Sequence, residues 1–259
     1  MNPLTTKLKS LGLRGIAAEI DDVIALATKK RWSAPQIIER VIEIEHADRG
    51  RRSLERRLTR SKLGRFKTMD VFDWDWPKRI DRTLVESCLQ LDFIDGAKNV
   101  VLAAPHGLGK TMIAQNIAHQ AILAGHSVIF TTASQLLLDL TGAESARALD
   151  RRLKHYAGVG LLCVDELGYL SYDNRNADLL FQLINRRYEK KSIILTTNLA
   201  FSEWSKIFPN ATCATALIDR IVHHAEIVAI DGDSYRRREA EREKVEGAKR
   251  RASKTKAKR

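Results

Sequence analysis

The chain has 259 residues, a net charge of +12 and only three cysteines, a length that suits one medium-sized domain and a smaller one. No apolar run approaches the roughly 18–20 residues of a membrane helix, and the N-terminus lacks the apolar stretch of a signal peptide. Three scattered cysteines exclude a disulfide scaffold, so we expect a cytoplasmic protein with no membrane partner.

The charge is unevenly distributed along the chain. Residues 1–68 carry 16 Lys/Arg against 8 Asp/Glu, residues 69–235 carry 16 against 20, and residues 236–259 carry 12 against 4. The two ends of the chain are basic and its middle is acidic, which indicates a polyanionic partner for the ends. Nucleic acid is favoured over a membrane surface. We predict a helical, basic DNA-binding domain over 1–68, an aromatic linker and helix over 69–97, a core over 98–235 and a disordered basic tail over 236–259.

The front segment has apolar residues at helical spacing over residues 4–26, and a second helix is predicted to begin after Ser33. Residues 49–67 follow with nine basic residues and one acid. They could form a solvated helix face, but an almost single-signed helix repels itself, which favours contact with phosphates of double-stranded DNA. The predicted DNA-binding residues are Arg49, Arg51, Arg52, Arg56, Arg57, Arg60, Lys62, Arg65 and Lys67.

Aromatic and acidic residues alternate over 72–77, immediately before the core. This segment is predicted to be extended and to pack its rings on the core, although the rings could also lie beside a nucleotide base. Residues 80–95 have the periodicity of one amphipathic helix that leads into the first strand of the core.

A phosphate-binding loop is predicted between an apolar strand at 99–103 and a helix that begins near residue 112. Gly107 and Gly109 let the backbone turn its N–H groups inward at the N-terminus of the helix. Lys110 can reach the outer phosphates of a nucleotide, and the hydroxyl of Thr111 can bind Mg²⁺. Ala104 stands where such loops usually begin with glycine; alanine is small, so the usual bend is expected. The predicted nucleotide-binding residues are Ala104, Pro105, His106, Gly107, Leu108, Gly109, Lys110, Thr111 and Met112.

Two further apolar strands are predicted to end in polar residues. The run 160–164 ends in Asp165 and Glu166, and the run 191–197 ends in Asn198. Polar side chains at the carboxyl ends of buried parallel strands point into the crevice where open α/β sheets bind ligands. Asp165 is assigned to the Mg²⁺ shell and Glu166 to the attacking water, while Asn198 could bind the terminal phosphate or could cap a loop.

Two arginines near the end of the core are considered separately from the basic background. Arg220 lies on the polar side of a helix predicted over 215–224, and Arg236 follows a closing strand predicted over 226–230. On spacing alone, either arginine could be a solvated surface residue.

The order of these motifs resembles that of the IstB/DnaC-like AAA+ ATPases, and within them the IstB-like transposition helper ATPases of bacterial insertion sequences. The resemblance covers nearly the whole chain. It implies an α/β fold, a P-loop AAA+ ATPase core of parallel sheet flanked by helices, with a small all-helical N-terminal domain. It assigns Asp165 and Glu166 to the Walker B pair, Asn198 to sensor 1, Arg220 to the arginine finger and Arg236 to sensor 2.

The resemblance further implies a bacterial, Mg²⁺-dependent ATPase that forms homo-oligomers on double-stranded DNA. Such a protein selects target DNA and stimulates its cognate transposase. Two alternatives are a DnaC-like helicase loader in replication and a DNA-binding module with a decayed ATP site. The basic segments favour DNA over a helicase partner, and the presence of Lys110, Thr111, Asp165 and Glu166 disfavours decay.

Overall fold

A computed structural model describes residues 3–169, 171–209, 211–242 and 244. The chain divides into two compact units, Met1–Thr59 and Arg60–Arg259. Residues 60–68, which were predicted as part of the front domain, belong to the second unit. The predicted tail of 236–259 is not disordered throughout, because residues 236–242 are helical; residues 243 and 245–259 lie outside the described residues.

The first unit consists of helices α1 (Pro3–Ser10), α2 (Arg14–Lys30) and most of α3 (Ala34–Ser61). As predicted, α3 begins after Ser33, whose backbone N–H donates to Gln36 Oε1 at 2.8 Å. At Gly15 the helices α2 and α3 lie so close that a Cβ there would be only 2.5 Å from the Cβ of Asp48. Their buried contacts are made by Ile16, Ile20, Val23 and Ile44.

The second unit continues with helical and strand segments in the order expected for an α/β protein. They are α4 (Arg82–Gln90), α5 (Asp92–Asp95), β1 (Asn99–Ala103), α6 (Lys110–Leu123), β2 (Val128–Thr132), α7 (Ala133–Thr141), α8 (Ala146–Gly158), β3 (Leu161–Leu167), α9 (Asn174–Arg187), β4 (Ser192–Thr197), α10 (Ala211–Val222) and β5 (Ala225–Ala229). The prediction of a single helix over 80–95 is wrong, because two helices occupy this segment. Leu91 adopts a left-handed backbone (φ 74°) and ends α4 before α5 begins.

The five strands form one parallel sheet in the order β2-β3-β4-β1-β5. The strand β4 lies between β1 and β3, so the carboxyl ends of all three strands are adjacent. The register pairs Ala103 of β1 with Thr197 of β4. The loop after β1, the acids that end β3 and the residue after β4 therefore share one edge of the sheet.

Both faces of the sheet are buried, as the uninterrupted apolar strands predict. One face packs against α7–α10 in a cluster that includes Val101, Leu162 and Leu195. Side chains that alternate with these, such as Val100 and Leu102, are fully buried on the other face, where α6 contacts β1–β4. The fold is thus the predicted α/β core with helices on both faces.

Candidate nucleotide-binding site

The loop after β1 has the backbone of a phosphate-binding loop. Gly107 (φ 79°) and Gly109 (φ 86°) adopt left-handed conformations, and Gly109 immediately precedes α6. Ala104 is not among the residues with positive φ, and its N–H donates to Thr197 O at 3.1 Å. Because the first position needs no left-handed backbone, alanine replaces glycine there without strain.

The two glycines also allow other segments to lie directly on the loop. A Cβ at Gly107 would lie 2.1 Å from Ser234 Oγ, and a Cβ at Gly109 would lie 2.6 Å from Cε2 of Phe72. The N–H of Tyr235 donates to Gly107 O at 2.9 Å. The aromatic linker and the segment after β5 therefore both contact the loop.

Lys110 folds back over the loop that precedes it. Its Nζ donates to Ala104 O at 2.6 Å and to Pro105 O at 2.8 Å. Burial lowers the pKa of Lys110, an effect that the charge of Asp165 opposes and that of Arg236 reinforces. The ammonium group is thus partly desolvated, and phosphate oxygens could replace the two carbonyl acceptors.

Asp165 is buried at the end of β3 and accepts from hydroxyl groups of two other segments. Thr111 Oγ1 donates to Asp165 Oδ1 at 3.1 Å, and Thr196 Oγ1 makes a short hydrogen bond to the same oxygen. A hydroxyl and a carboxylate oxygen side by side are ligands that Mg²⁺ prefers. Thr111 and Asp165 therefore fit the predicted metal site.

Glu166 differs from Asp165 in both exposure and backbone. Its side chain is exposed and lines the cavity, whereas its φ of 61° lies in the left-handed region. Its N–H donates to Thr196 Oγ1 at 2.9 Å, where the register of β3 with β4 shifts. Non-glycine residues in this conformation are uncommon and often lie at functional sites.

The cavity at this edge of the sheet has a volume of about 610 Å³, which is large enough for a nucleotide. Its lining includes the predicted residues of the loop from His106 to Met112, together with Glu166, Asn198 and Arg236. Ala104 is buried, and Pro105 is exposed outside the lining. These motifs meet because each of them follows a strand of the same sheet.

Several lining residues were not predicted as site residues. Phe72, Trp76 and Pro77 form an apolar wall beside the loop, so the linker both packs on the core and lines the cavity. Arg238 contacts two residues of the linker. Its Nη1 is 2.9 Å from Asp73 Oδ2, and its guanidinium lies 4.1 Å from the centre of the Trp76 ring. The alternating aromatic and acidic pattern was the only sequence signal for this arrangement.

Arg220 does not line the cavity of its own chain. Its Nε donates to Asn185 Oδ1 at 3.1 Å, and its guanidinium lies 4.6 Å from the centre of the Phe181 ring. Arg220 is therefore separated from the loop, Asp165 and Asn198, which the fold does bring together.

Part of the predicted DNA-binding run is neutralised by acids in the preceding turns of α3. Glu45 pairs with Arg49 at 2.8 Å and with Arg52 at 3.3 Å, and Asp48 pairs with Arg51 at 2.6 Å and with Arg52 at 2.7 Å. The hydrogen bond from Arg49 lowers the pKa of Glu45. Lys67 pairs with Glu239 at 3.5 Å. Among the described residues, four exposed members of the run form no ion pair: Arg56, Arg60, Lys62 and Arg65.

Fold and site together define an AAA+ ATPase with a P-loop. The chain belongs to the family of IstB-like ATP binding proteins, which matches residues 6–243. It is 35% identical to the ATP-binding protein of insertion sequence IS21 from Pseudomonas aeruginosa, over 92% of this chain and 90% of that one. It is 36% identical to the corresponding protein of insertion sequence IS232 from Bacillus thuringiensis subsp. berliner, over 90% and 93%.

Solved structures with the same fold include DnaA and DnaI. DnaA from Aquifex aeolicus bound to AMPPCP superposes with a TM-score of 0.54 at 21% identity, over 66% of this chain and 52% of that chain. DnaI superposes with a TM-score of 0.53 at 18% identity, over 67% and 92%. At these identities the likeness concerns the fold alone. In the described part of the chain, no helix has the length and apolarity needed to cross a bilayer.

Proposed function

We propose that this protein hydrolyses ATP as an oligomer on double-stranded DNA and thereby assists a partner transposase. The observation that carries the proposal is the meeting of Lys110, Thr111, Asp165, Glu166 and Asn198 at one edge of the sheet. The relatives' place in insertion sequences supports a role in transposition rather than in replication.

The residues at this edge of the sheet account for each requirement of phosphoryl transfer. Backbone N–H groups of the loop and Lys110 bind the β- and γ-phosphates. Thr111 and Asp165 would hold Mg²⁺, which would neutralise charge on those phosphates. Glu166 accepts the proton of the water that attacks the γ-phosphorus, the bond to the β-phosphate oxygen breaks, and ADP leaves. Asn198 orients the water or the γ-phosphate, and Arg236 stabilises the developing charge.

The apolar wall supplies a place for the base of the nucleotide. Phe72 and Trp76 line the cavity, and the ring of Phe72 lies directly beside Gly109 of the loop. Aromatic faces stack favourably on a purine. The linker would therefore contact ATP directly, in addition to packing on the core.

DNA binding is assigned to the basic run 49–67, and above all to the four exposed residues without an ion pair in the described chain: Arg56, Arg60, Lys62 and Arg65. The pairing of Arg49, Arg51 and Arg52 with acids makes them weaker candidates for phosphate contacts. The basic residues of 245–259, outside the described part, are a second source of DNA affinity.

The test is ATP hydrolysis measured with and without unrelated duplex DNAs, followed by target joining with the transposase of the same insertion sequence. Hydrolysis that duplex DNA stimulates, and joining that depends on ATP, are the expected results. A rate of hydrolysis that duplex DNA does not change would contradict the DNA-dependent part of the proposal. The absence of any hydrolysis would contradict the ATPase mechanism. Binding to a replicative helicase would favour the loader alternative instead.

A further inference from the structure

His106 lies within the phosphate-binding loop but has a partner outside it. Its Nε2 is 3.2 Å from Nδ2 of Asn198, and both side chains line the cavity. An amide nitrogen is a donor only, so the ring nitrogen of His106 accepts this hydrogen bond. The loop after β1 and the end of β4 are thereby linked through side chains.

The register of the sheet explains why these two residues meet. Ala103 is paired with Thr197, and the N–H of Ala104 donates to Thr197 O at 3.1 Å. Asn198 follows Thr197 directly, while the loop rises from the same level and brings His106 back over the end of β4. The contact thus follows from the parallel pairing of β1 with β4.

The hydrogen bond fixes which way the amide of Asn198 points. A carboxamide has an oxygen that accepts and a nitrogen that donates, and exchanging the two would reverse its effect on a phosphate or a water. With one N–H directed to His106, the other N–H and the oxygen keep defined directions. Tyr169 supports the ring of His106 edge-on, with centroids 6.3 Å apart and planes at 90°.

We propose that His106 is a positioning residue for Asn198 in ATP hydrolysis. This inference rests on the proposed ATPase function and adds His106 as a residue that acts through Asn198. His106 accepts one amide hydrogen of Asn198, so that the remaining amide atoms meet the γ-phosphate and the attacking water in a single orientation. The contribution concerns the chemical step more than nucleotide affinity, because the loop backbone and Lys110 bind the phosphates.

The test is a double-mutant cycle in ATP hydrolysis with His106→Leu and Asn198→Ala. Loss of one hydrogen bond predicts that His106→Leu lowers kcat roughly 3- to 10-fold and changes KM by less than about twofold. In the Asn198→Ala background, His106→Leu should change kcat by less than about twofold. Equal losses of kcat in both backgrounds, or a loss confined to KM, would overturn the proposal.

Two further variants separate positioning from folding. His106→Gln supplies an amide oxygen as acceptor and should restore kcat to within about twofold of the wild type; a kcat as low as that of His106→Leu would refute the acceptor role. His155→Leu, an exposed histidine of α8, is the matched control and should leave kcat unchanged. Wild-type hydrolysis is measured first, because its absence would contradict the proposed function rather than the role of His106.

Discussion

Glu166 and Asp165 are neighbours at the end of β3, yet their surroundings differ. Asp165 is 5% exposed and accepts hydrogen bonds from Thr111 and Thr196, so its carboxylate is directed toward the loop. Glu166 turns away through a left-handed backbone and faces the cavity. The first environment suits a metal ligand, and the second suits a base that must reach a water.

Replacing Glu166 by glutamine should therefore abolish turnover and spare binding. Glutamine keeps the size of the side chain but cannot accept the proton, so kcat should fall by about 10²–10⁴-fold. The affinity for a fluorescent ATP analogue should stay within a few-fold of the wild type. Glu189→Gln is the matched control, because Glu189 is also exposed and has a positive φ (55°) but does not line the cavity. A Glu166→Gln protein that hydrolyses ATP at the wild-type rate would remove Glu166 from the mechanism.

The loop and the ends of β3 and β4 could be predicted from sequence because each motif is contiguous and each strand is a clear apolar run. The partners of these motifs could not. Arg238 meets Asp73 across 165 positions of sequence, and Thr196 bridges to Asp165 across 31. Arginines are frequent near the end of the core, and no local pattern distinguishes Arg238 from Arg236 or Arg237.

At the scale of whole elements, the fold depends on a buried arginine between α8 and the sheet. Arg187, at the end of α9, is fully buried, and burial lowers its pKa to about 10, so it remains charged at neutral pH. Its guanidinium donates to the carbonyls of residues 156, 157, 159, 160 and 192. These include carbonyls at the C-terminus of α8, for which the helix itself provides no N–H donor.

Removal of this guanidinium should destabilise the second unit strongly. Arg187→Met leaves several buried carbonyls without a donor, and we expect a loss of about 3–5 kcal/mol in the free energy of unfolding. Urea denaturation followed by circular dichroism measures the effect. The adjacent Arg186→Met is the control, since Arg186 makes a partly exposed ion pair with Asp150 at 2.9 Å and should cost about 1 kcal/mol or less. Equal losses for the two variants would contradict the assigned role of Arg187.

The elements that were predicted less well show what sequence patterns omit. The apolar periodicity of 80–95 continues through Leu91, but the left-handed backbone there divides the helix in two. Within residues 49–67 the charges are almost all positive, which predicts that the run repels itself. Glu45 and Asp48 lie just before that run and pair with three of its arginines, because helical neighbours three and four residues apart face each other.

This pairing decides which residues should test DNA binding. Replacing Arg56, Arg60, Lys62 and Arg65 by glutamine should weaken binding about equally on unrelated duplexes and flatten the log–log salt dependence by up to roughly three or four. Fluorescence anisotropy over a salt series measures both effects. The control with the same change in charge replaces Arg147, Arg151, Lys190 and Lys191, which are exposed on the core, and should leave the slope nearly unchanged.

A truncation distinguishes the basic run from the tail. Deleting residues 245–259 should reduce DNA affinity only in part if the run carries most of the phosphate contacts. If the truncated protein binds no DNA while the quadruple variant binds as the wild type does, the assignment to the run is wrong.

At the scale of the whole molecule, the position of Arg220 bears on assembly. Arg220 is on α10, held by Asn185 and Phe181, and does not line the cavity of its own chain. An arginine that contributes to hydrolysis from there would act on the nucleotide of a neighbouring subunit. A head-to-tail interface that repeats from subunit to subunit would provide such a contact.

Mixing two inactive variants tests this arrangement. Arg220→Ala lacks the finger and Lys110→Ala lacks a working loop, and an arginine finger contributes about 10³–10⁵-fold to the rate of nucleotide hydrolysis. In an equal mixture, about a quarter of the wild-type rate should return, because half of the loops are intact and half of those face an intact Arg220. The control mixes Lys110→Ala with Glu166→Gln. Each change disables the cavity of the chain that carries it. Every cavity in the mixture is therefore incomplete, and no activity should return. If Arg220→Ala and Lys110→Ala fail to complement at any ratio on duplex DNA, Arg220 does not act between subunits.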